Sequence, residues 1–156
     1  LSKMSNDLRL MSSGPRTGFG EINLPARQNG SSIMPGKVNP VIPEMVMQCA
    51  MKVMADDSAI AMAAAHGEFE LNAFEPLIAD CLLESLQLLI RSVRIFQTAC
   101  VEGLEVREDS CRQHLQVSAA FGAAYIGVLG YDTVSRIIKD HEPDEAHRIL
   151  EAMVKK

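Results

Sequence analysis

Residues 76–101 read PLIADCLLESLQLLIRSVRIFQTACV, and their periodicity decides the fold. Leu82, Leu86, Leu89, Val93, Phe96 and Cys100 recur at alternating steps of four and three. That spacing is the seam of a left-handed helical bundle. Ala79, Leu83 and Ile90 widen the stripe, so this helix needs more than one neighbour. Pro76 suits the first turn, where amides have no intrahelical partner, and Gly103 marks the end.

Upstream, 41–65 reads as a second long helix, apolar on most sides through Met45, Val46, Cys49, Ala50, Val53, Ile60, Ala61 and Ala64. Such a helix is buried among others. Asp56-Asp57-Ser58 interrupts the pattern and is expected to bend it. Asn39-Pro40 is expected to open it, with Asn39 as N-cap and Pro43 in the same first turn. His66-Gly67 closes it, and His66 suits a helix C-terminus structurally. Residues 1–12 carry Leu1, Met4, Leu8 and Met11 at helical spacing, as if the chain starts inside a helix, and Gly14-Pro15 stops it. Shorter helices are expected over 107–116, 131–140 and 143–154, while 117–130 is Gly-rich and stays unassigned. No strand pattern or internal repeat is evident. The class is all-α, two long near-antiparallel helices followed by small C-terminal helices. The expected division is 1–104, a helical-bundle part, and 105–156, a small helical domain. Two long helices with apolar residues on several faces cannot cover each other, so a helical oligomer core is expected.

Composition narrows the function. The net charge is −5 and only 4% of residues are aromatic, so neither a basic patch nor stacking platforms speak for nucleic acid. No run of eighteen apolar residues suggests a membrane span. The opening Leu-Ser-Lys-Met-Ser-Asn-Asp resembles no targeting peptide, which points to the cytoplasm. Cys49, Cys81 and Cys100 fall in apolar helical runs, and Cys111 pairs with no second Cys at metal-site spacing. Reduced thiols and no metal site are expected.

The chemistry concentrates in a long irregular segment, 13–39, which holds five of the ten glycines. Ordered loops of this length are usually functional. Ile22, Leu24, Ile33 and Met34 can anchor it. Its last part, with the next residue, reads Gly30-Ser31-Ser32-Ile33-Met34-Pro35-Gly36-Lys37-Val38-Asn39-Pro40. Two hydroxyls, a cation and an amide lie within ten residues. Lys37 offers a compact charge to a carboxylate, and Asn39 a donor beside it. A glycine-flanked serine can present its oxygen without crowding.

This run resembles the signature of the fumarase/aspartase superfamily, homotetrameric lyases that form or consume fumarate. The resemblance extends through Asn6-Asp7-Leu8-Arg9, Ser12-Ser13-Gly14-Pro15-Arg16, Glu21-Ile22-Asn23-Leu24-Pro25 and Val41-Ile42-Pro43-Glu44, to Glu70-Leu71-Asn72 with Glu75-Pro76. Most flanks look like the aspartase branch, and Glu68-Phe69-Glu70-Leu71-Asn72 is similar to fumarase. The resemblance implies the long-helix bundle and deamination of L-aspartate to fumarate and ammonia by anti-elimination through a carbanion. It implies Ser31 as the base, working as an alkoxide, and Lys37 and Asn39 as ligands of a substrate carboxylate. Glu44 matches a carboxylate that pairs with a histidine in the fumarase branch. It equally suits the first turn of a helix. Ser32 is expected to hydrogen-bond within the loop. No cofactor or required metal is implied, and the partner is a small dicarboxylate. The family builds each site from three segments of three subunits, and only the loop segment is found here. The chain therefore reads as a C-terminal part, inactive alone. Two other readings stay open: a class II fumarase hydrating fumarate to malate, and a non-catalytic helical assembly module whose loop is a contact surface.

Overall fold

The computed structural model describes residues 1–14, 16–34 and 36–155. Pro15, expected to help stop the first helix, and Pro35, within the signature run, lie outside them. The first compact unit is Leu1–Val106. It contains α1 (Ser2–Met11), β1 (Ile22–Asn23), α2 (Val41–Ala65) and α3 (Glu75–Phe96). A π-helical turn, Gln97–Val101, prolongs α3 and leads to β2 (Glu105–Val106).

α2 continues as one helix through Asp56-Asp57-Ser58, where its apolar pattern is interrupted. Asp56 turns inward and finds partners. Its carboxylate lies 2.5 Å from Lys52 Nζ, one turn earlier, and accepts the Ser85 hydroxyl at 3.1 Å. Lys52 also reaches Glu84 on α3 at 2.6 Å. A buried carboxylate needs such company to remain charged. The Lys52 hydrogen bond, helped by Ser85, holds the Asp56 carboxyl below its ordinary value against the opposing effect of burial. Val46 meets Phe96 and Cys100, while Asp56 meets Ser85 further along, so α2 and α3 run antiparallel.

The face α3 turns to α2 is only partly the seam expected from spacing: Phe96 and Cys100 of that seam are buried against Val46, but its earlier members are not. Cys81, Ser85, Ser92 and Phe96 are buried. Leu82, Leu86 and Val93 retain 50%, 48% and 47% of their surface. Ahead of Phe96 the contact is displaced from the apolar stripe by about one residue, roughly 100° around the helix. Apart from Phe96 the buried side chains are small, and Leu82, Leu86 and Val93 are left outside.

α1 divides in the same way. Leu1 and Leu8 pack beside Val46 and Phe96, Ser5 is fully buried, and Met4 is exposed. The helix ends at Met11 with Ser12 as C-cap. At the other end of the loop Asn39 is not the expected side-chain cap. The N-cap of α2 is Pro40, and the Asn39 amide is used elsewhere. Regular helix begins at Val41, with Pro43 in the first turn, where its missing N–H costs nothing. The strand-free expectation also gives way: Ile22 pairs with Val106 and Asn23 with Glu105 in a short antiparallel ribbon.

From Arg107 onward a second compact unit forms. It holds α4 (Glu108–Val117), a 3-10 turn (Ala119–Gly122), α5 (Ala123–Leu129), α6 (Tyr131–Asp140) and α7 (Pro143–Val154). The unassigned Gly-rich stretch is thus the turn and α5. Val134, Ile137, Ala146 and Leu150 are buried at its centre, with Phe121, Tyr125 and Ile138 packed around them. Gly122 permits that closeness, since a Cβ there would lie 2.2 Å from Ile138 Cδ1. Among the described residues no helix is long and apolar enough to cross a membrane.

Candidate active-site loop

The loop between α1 and α2 is pinned in stages. Ser13 organises its start. The Ser13 carbonyl accepts from Gly20 N–H at 2.7 Å, and its hydroxyl accepts from Phe19 N–H at 3.1 Å. Ile22 is buried and Leu24 packs on the Val46 cluster, as anchors should. Arg27 then reaches the end of α3, where Nε donates to the Ala99 carbonyl at 2.8 Å and Nη2 to Thr98 at 3.4 Å. The π-helical turn leaves carbonyls to be claimed in this way. Cys100 lies beneath, its thiol pushed up by burial, with the Arg27 charge opposing that shift. The two later anchors do not anchor: Ile33 and Met34 are 86% and 52% exposed. They ride on the outer part of a hairpin.

That hairpin carries the signature. Asn29 bridges Val38, and Gly30 N–H donates to the Lys37 carbonyl at 2.7 Å. Lys37 N–H closes a turn on the Met34 carbonyl at 3.2 Å. A Cβ on Gly30 would stand 2.7 Å from the Lys37 carbonyl oxygen, a distance real side chains do not reach, so only glycine fits. The Gly30 carbonyl faces the other way and accepts the Asn39 amide at 3.4 Å. Gly30 is therefore the junction through which Ser31, Lys37 and Asn39 are brought into one small substructure. Their residue types and their common setting are suited to an anion.

Ser31 is partly buried, and its Oγ accepts two backbone N–H groups, from Ile33 at 3.1 Å and Met34 at 3.2 Å. The intraloop bonding expected of Ser32 is made by Ser31 instead, and Ser32 is exposed. Two donors on one oxygen favour its ionised over its neutral form. Lys37 has an exposed side chain at the same hairpin. Glu44 is not gathered with these three. It sits in the first turn of α2, its Oε1 3.7 Å from Arg9 Nη2.

Sequence reasoning missed three residues that build this site. Arg9 stood inside a recognised motif, which was the available signal. Ser13 also stood inside one, whereas Arg27 acts on partners set by the turns of the loop, and nothing local announces that. His66 behaves structurally. It is the C-cap of α2, with Nδ1 2.7 Å from the Met62 carbonyl oxygen and an edge-on contact with Phe74. Asn72, in the second motif, donates to the Ala63 carbonyl at 3.0 Å and closes the same helix end. Among the described residues no three His, Cys, Asp or Glu side chains gather closely enough to hold a metal ion.

Known proteins resemble this chain in sequence and in fold. Residues 1–55 match a protein family described as Lyase. The chain is similar to lyases of the fumarase/aspartase superfamily.

Among those lyases it is similar to aspartate ammonia-lyases. It is 50% identical over 139 residues to the enzyme so named from Pseudomonas fluorescens, covering 89% of this chain and 29% of that one. It is 45% identical over 140 residues to the one from Bacillus subtilis, covering 90% and 30%. Among solved structures, a fumarate lyase:delta crystallin from Brucella melitensis superposes with a TM-score of 0.78 at 50% identity, covering 89% of this chain and 30% of that one. A class II fumarase from Schistosoma mansoni superposes with a TM-score of 0.85 at 34% identity, covering 96% and 32%. The chain spans about three tenths of the length of the curated relatives it matches.

Proposed function

We propose that the protein carrying this chain is an aspartate ammonia-lyase, converting L-aspartate to fumarate and ammonia. The observation that carries this reading is the 50% identity to enzymes of that name, against 34% to a class II fumarase with the same fold. Fold alone does not separate the two branches, so residue identity has to.

The chemistry follows from the hairpin. Ser31, as an alkoxide supported by the Ile33 and Met34 amides, takes a proton from the substrate carbon beside one carboxylate. The C–H electron pair becomes a carbanion that spreads into that carboxylate as an aci-carboxylate. Lys37 and Asn39 offset the second negative charge. The pair then forms the C=C bond as the anti C–N bond breaks, and the ammonium group leaves as ammonia. The proton remains on Ser31 until solvent collects it. The protein works as a cytoplasmic homotetramer, in which other copies cover the exposed face of α3. The loop unit and the C-terminal unit are its central-bundle part and its small terminal domain. The isolated 156 residues, lacking the rest of the site, do not turn over.

An absorbance assay of fumarate formation tests this directly. Full-length protein given aspartate is expected to form fumarate. Fumarate formed from malate and not from aspartate would replace this reading with the fumarase one. Turnover by the isolated chain would show that no other segment is needed.

A further inference from the structure

We propose that Arg9 is a positioning residue for the Ser31 hairpin, its ion pair with Glu44 clamping together the two stems of the loop. The inference rests on the reading of Ser31 as base. Arg9 lies in the last turn of α1, just before the chain leaves for the loop. Glu44 lies in the first turn of α2, just after the chain returns. Their charged ends are 3.7 Å apart, and Arg9 Nη1 also donates to Met47 Sδ at 3.5 Å, one turn further along α2. Between the stems is a cavity of about 310 Å³. Ser12, Ser13 and Gly14 line it from the outgoing stem and Val38 and Pro40 from the returning one. Arg9 and Glu44 are the only charged side chains on its wall among the described residues.

The backbone bonds of Ser13 close the outgoing side on itself, and Asn39 closes the returning side on Gly30. Among the described residues no backbone hydrogen bond joins residues 12–14 to residues 38–41. Leu8 and Met45 press α1 on α2, but apolar contact is non-directional and leaves the axial register free. A guanidinium that touches both a carboxylate and a sulfur one turn apart fixes that register. With the stems in register, the Asn39–Gly30 contact and the Ser31 oxygen keep their place relative to α2.

A rival explanation needs no clamp: a cation at the C-terminus of α1 and an anion at the N-terminus of α2 each suit their own helix. The charge swap separates the two. In full-length protein, Arg9→Gln and Glu44→Gln are each expected to lower kcat for fumarate formation about 10- to 100-fold per folded molecule, with KM changing much less. The double Gln variant should be no worse than the worse single one, since both remove the same contact. Arg9→Glu with Glu44→Arg should recover at least about tenfold over Arg9→Glu alone, although both charges then oppose their helices. If Arg9→Gln does not fold, Arg9→Lys keeps the charge but not the two-point grip, and a smaller loss of kcat is expected. Lys3→Gln, which breaks an exposed pair with Asp7 on α1, is the unaffected control. Additive losses, or a swap no better than Arg9→Glu, overturn the clamp. Protease cleavage within residues 28–38 reads the same variants without catalysis, rising in the singles and falling back in the swap. A parent enzyme that makes no fumarate therefore refutes the lyase reading while the cleavage pattern still decides the clamp.

Discussion

The two units of this chain differ in what their helices bury, although both leave large apolar residues in water, Val128 and Tyr131 in the C-terminal unit among them. In the C-terminal unit, Val134, Ile137 and Leu150 point into a centre of their own. In the first unit, α3 buries Cys81, Ser85 and Ser92 and leaves Leu82, Leu86 and Val93 half exposed. Ile90 is 68% exposed, and Met51, Met54 and Met62 on α2 are also exposed. Burying a Leu side chain is worth about 1.5–3 kcal/mol, so leaving a row of them in water is unfavourable for a lone chain. The C-terminal unit completes its own core. The long-helix unit leaves a longer apolar stripe uncovered, and the loop stands on that scaffold.

The sharpest way to test this division is to ask which unit holds the chemistry. Ser31→Ala in the full-length protein removes the proposed base while leaving the Gly30–Lys37 hairpin bond intact. Fumarate formation is expected to fall by a factor of about 10²–10⁴, the usual weight of a positioned base. Lys37→Ala should act more gently and raise KM before it lowers kcat. Parent-like rates in Ser31→Ala would take the chemistry away from the hairpin altogether.

The next test compares one leucine from each unit. Leu150 is fully buried, and Leu150→Ala should destabilise the chain by about 2–5 kcal/mol in a urea melt. Leu86 is 48% exposed, and Leu86→Ala should cost the isolated chain no more than about 0.5 kcal/mol. Leu86→Arg should nonetheless block assembly of the full-length protein, read as a smaller species in sedimentation. If Leu86→Arg assembles normally, the exposed stripe is not where the other copies sit.

Much of this was legible in the residues, and the exceptions share a cause. α6 and α7 fall where their pattern puts them, because each has one apolar stripe and one neighbour set. The two long helices were legible as elements, but their facing was not. Steps of four and three fit Leu82-Leu86-Leu89-Val93, and they fit Cys81-Ser85-Ser92 almost as well, both sets leading into the buried Phe96 and Cys100. Only packing against α2 chooses between the two sets. Hydrophobicity favours the first, while the Asp56 network selects the second. The Ile22–Asn23 ribbon has two residues per strand, too few to show alternation. Within the site, Ser31, Lys37 and Asn39 were legible because they lie in one short run. Arg9 with Glu44 and Arg27 with Ala99 were not, since pairings across 35 and 72 positions leave no local period. Asn39 misled for a simple reason: its residue type suits a helix cap, but the N-cap of α2 falls on Pro40, and the Asn39 amide donates to the Gly30 carbonyl instead.

The smallest expected effect concerns the polar contact inside the long-helix pair. Asp56 is held below its ordinary value of 3.8 first by the Lys52 hydrogen bond, with Ser85 assisting. A carboxyl depressed in the folded state adds stability that is fully present above its unfolded value and lost as pH falls through the folded one. Urea midpoints should therefore hold steady down to about pH 4 and drop below it, as Asp56 takes up a proton and releases Lys52. Asp56→Asn should be less stable at neutral pH and should flatten that acid limb. The C-terminal unit, whose buried residues are apolar, should lack this Asp56-linked component. An Asp56→Asn chain with the parent's acid profile would mean that α2 and α3 are held by shape alone, and the two units would then differ only in how much apolar surface each leaves uncovered.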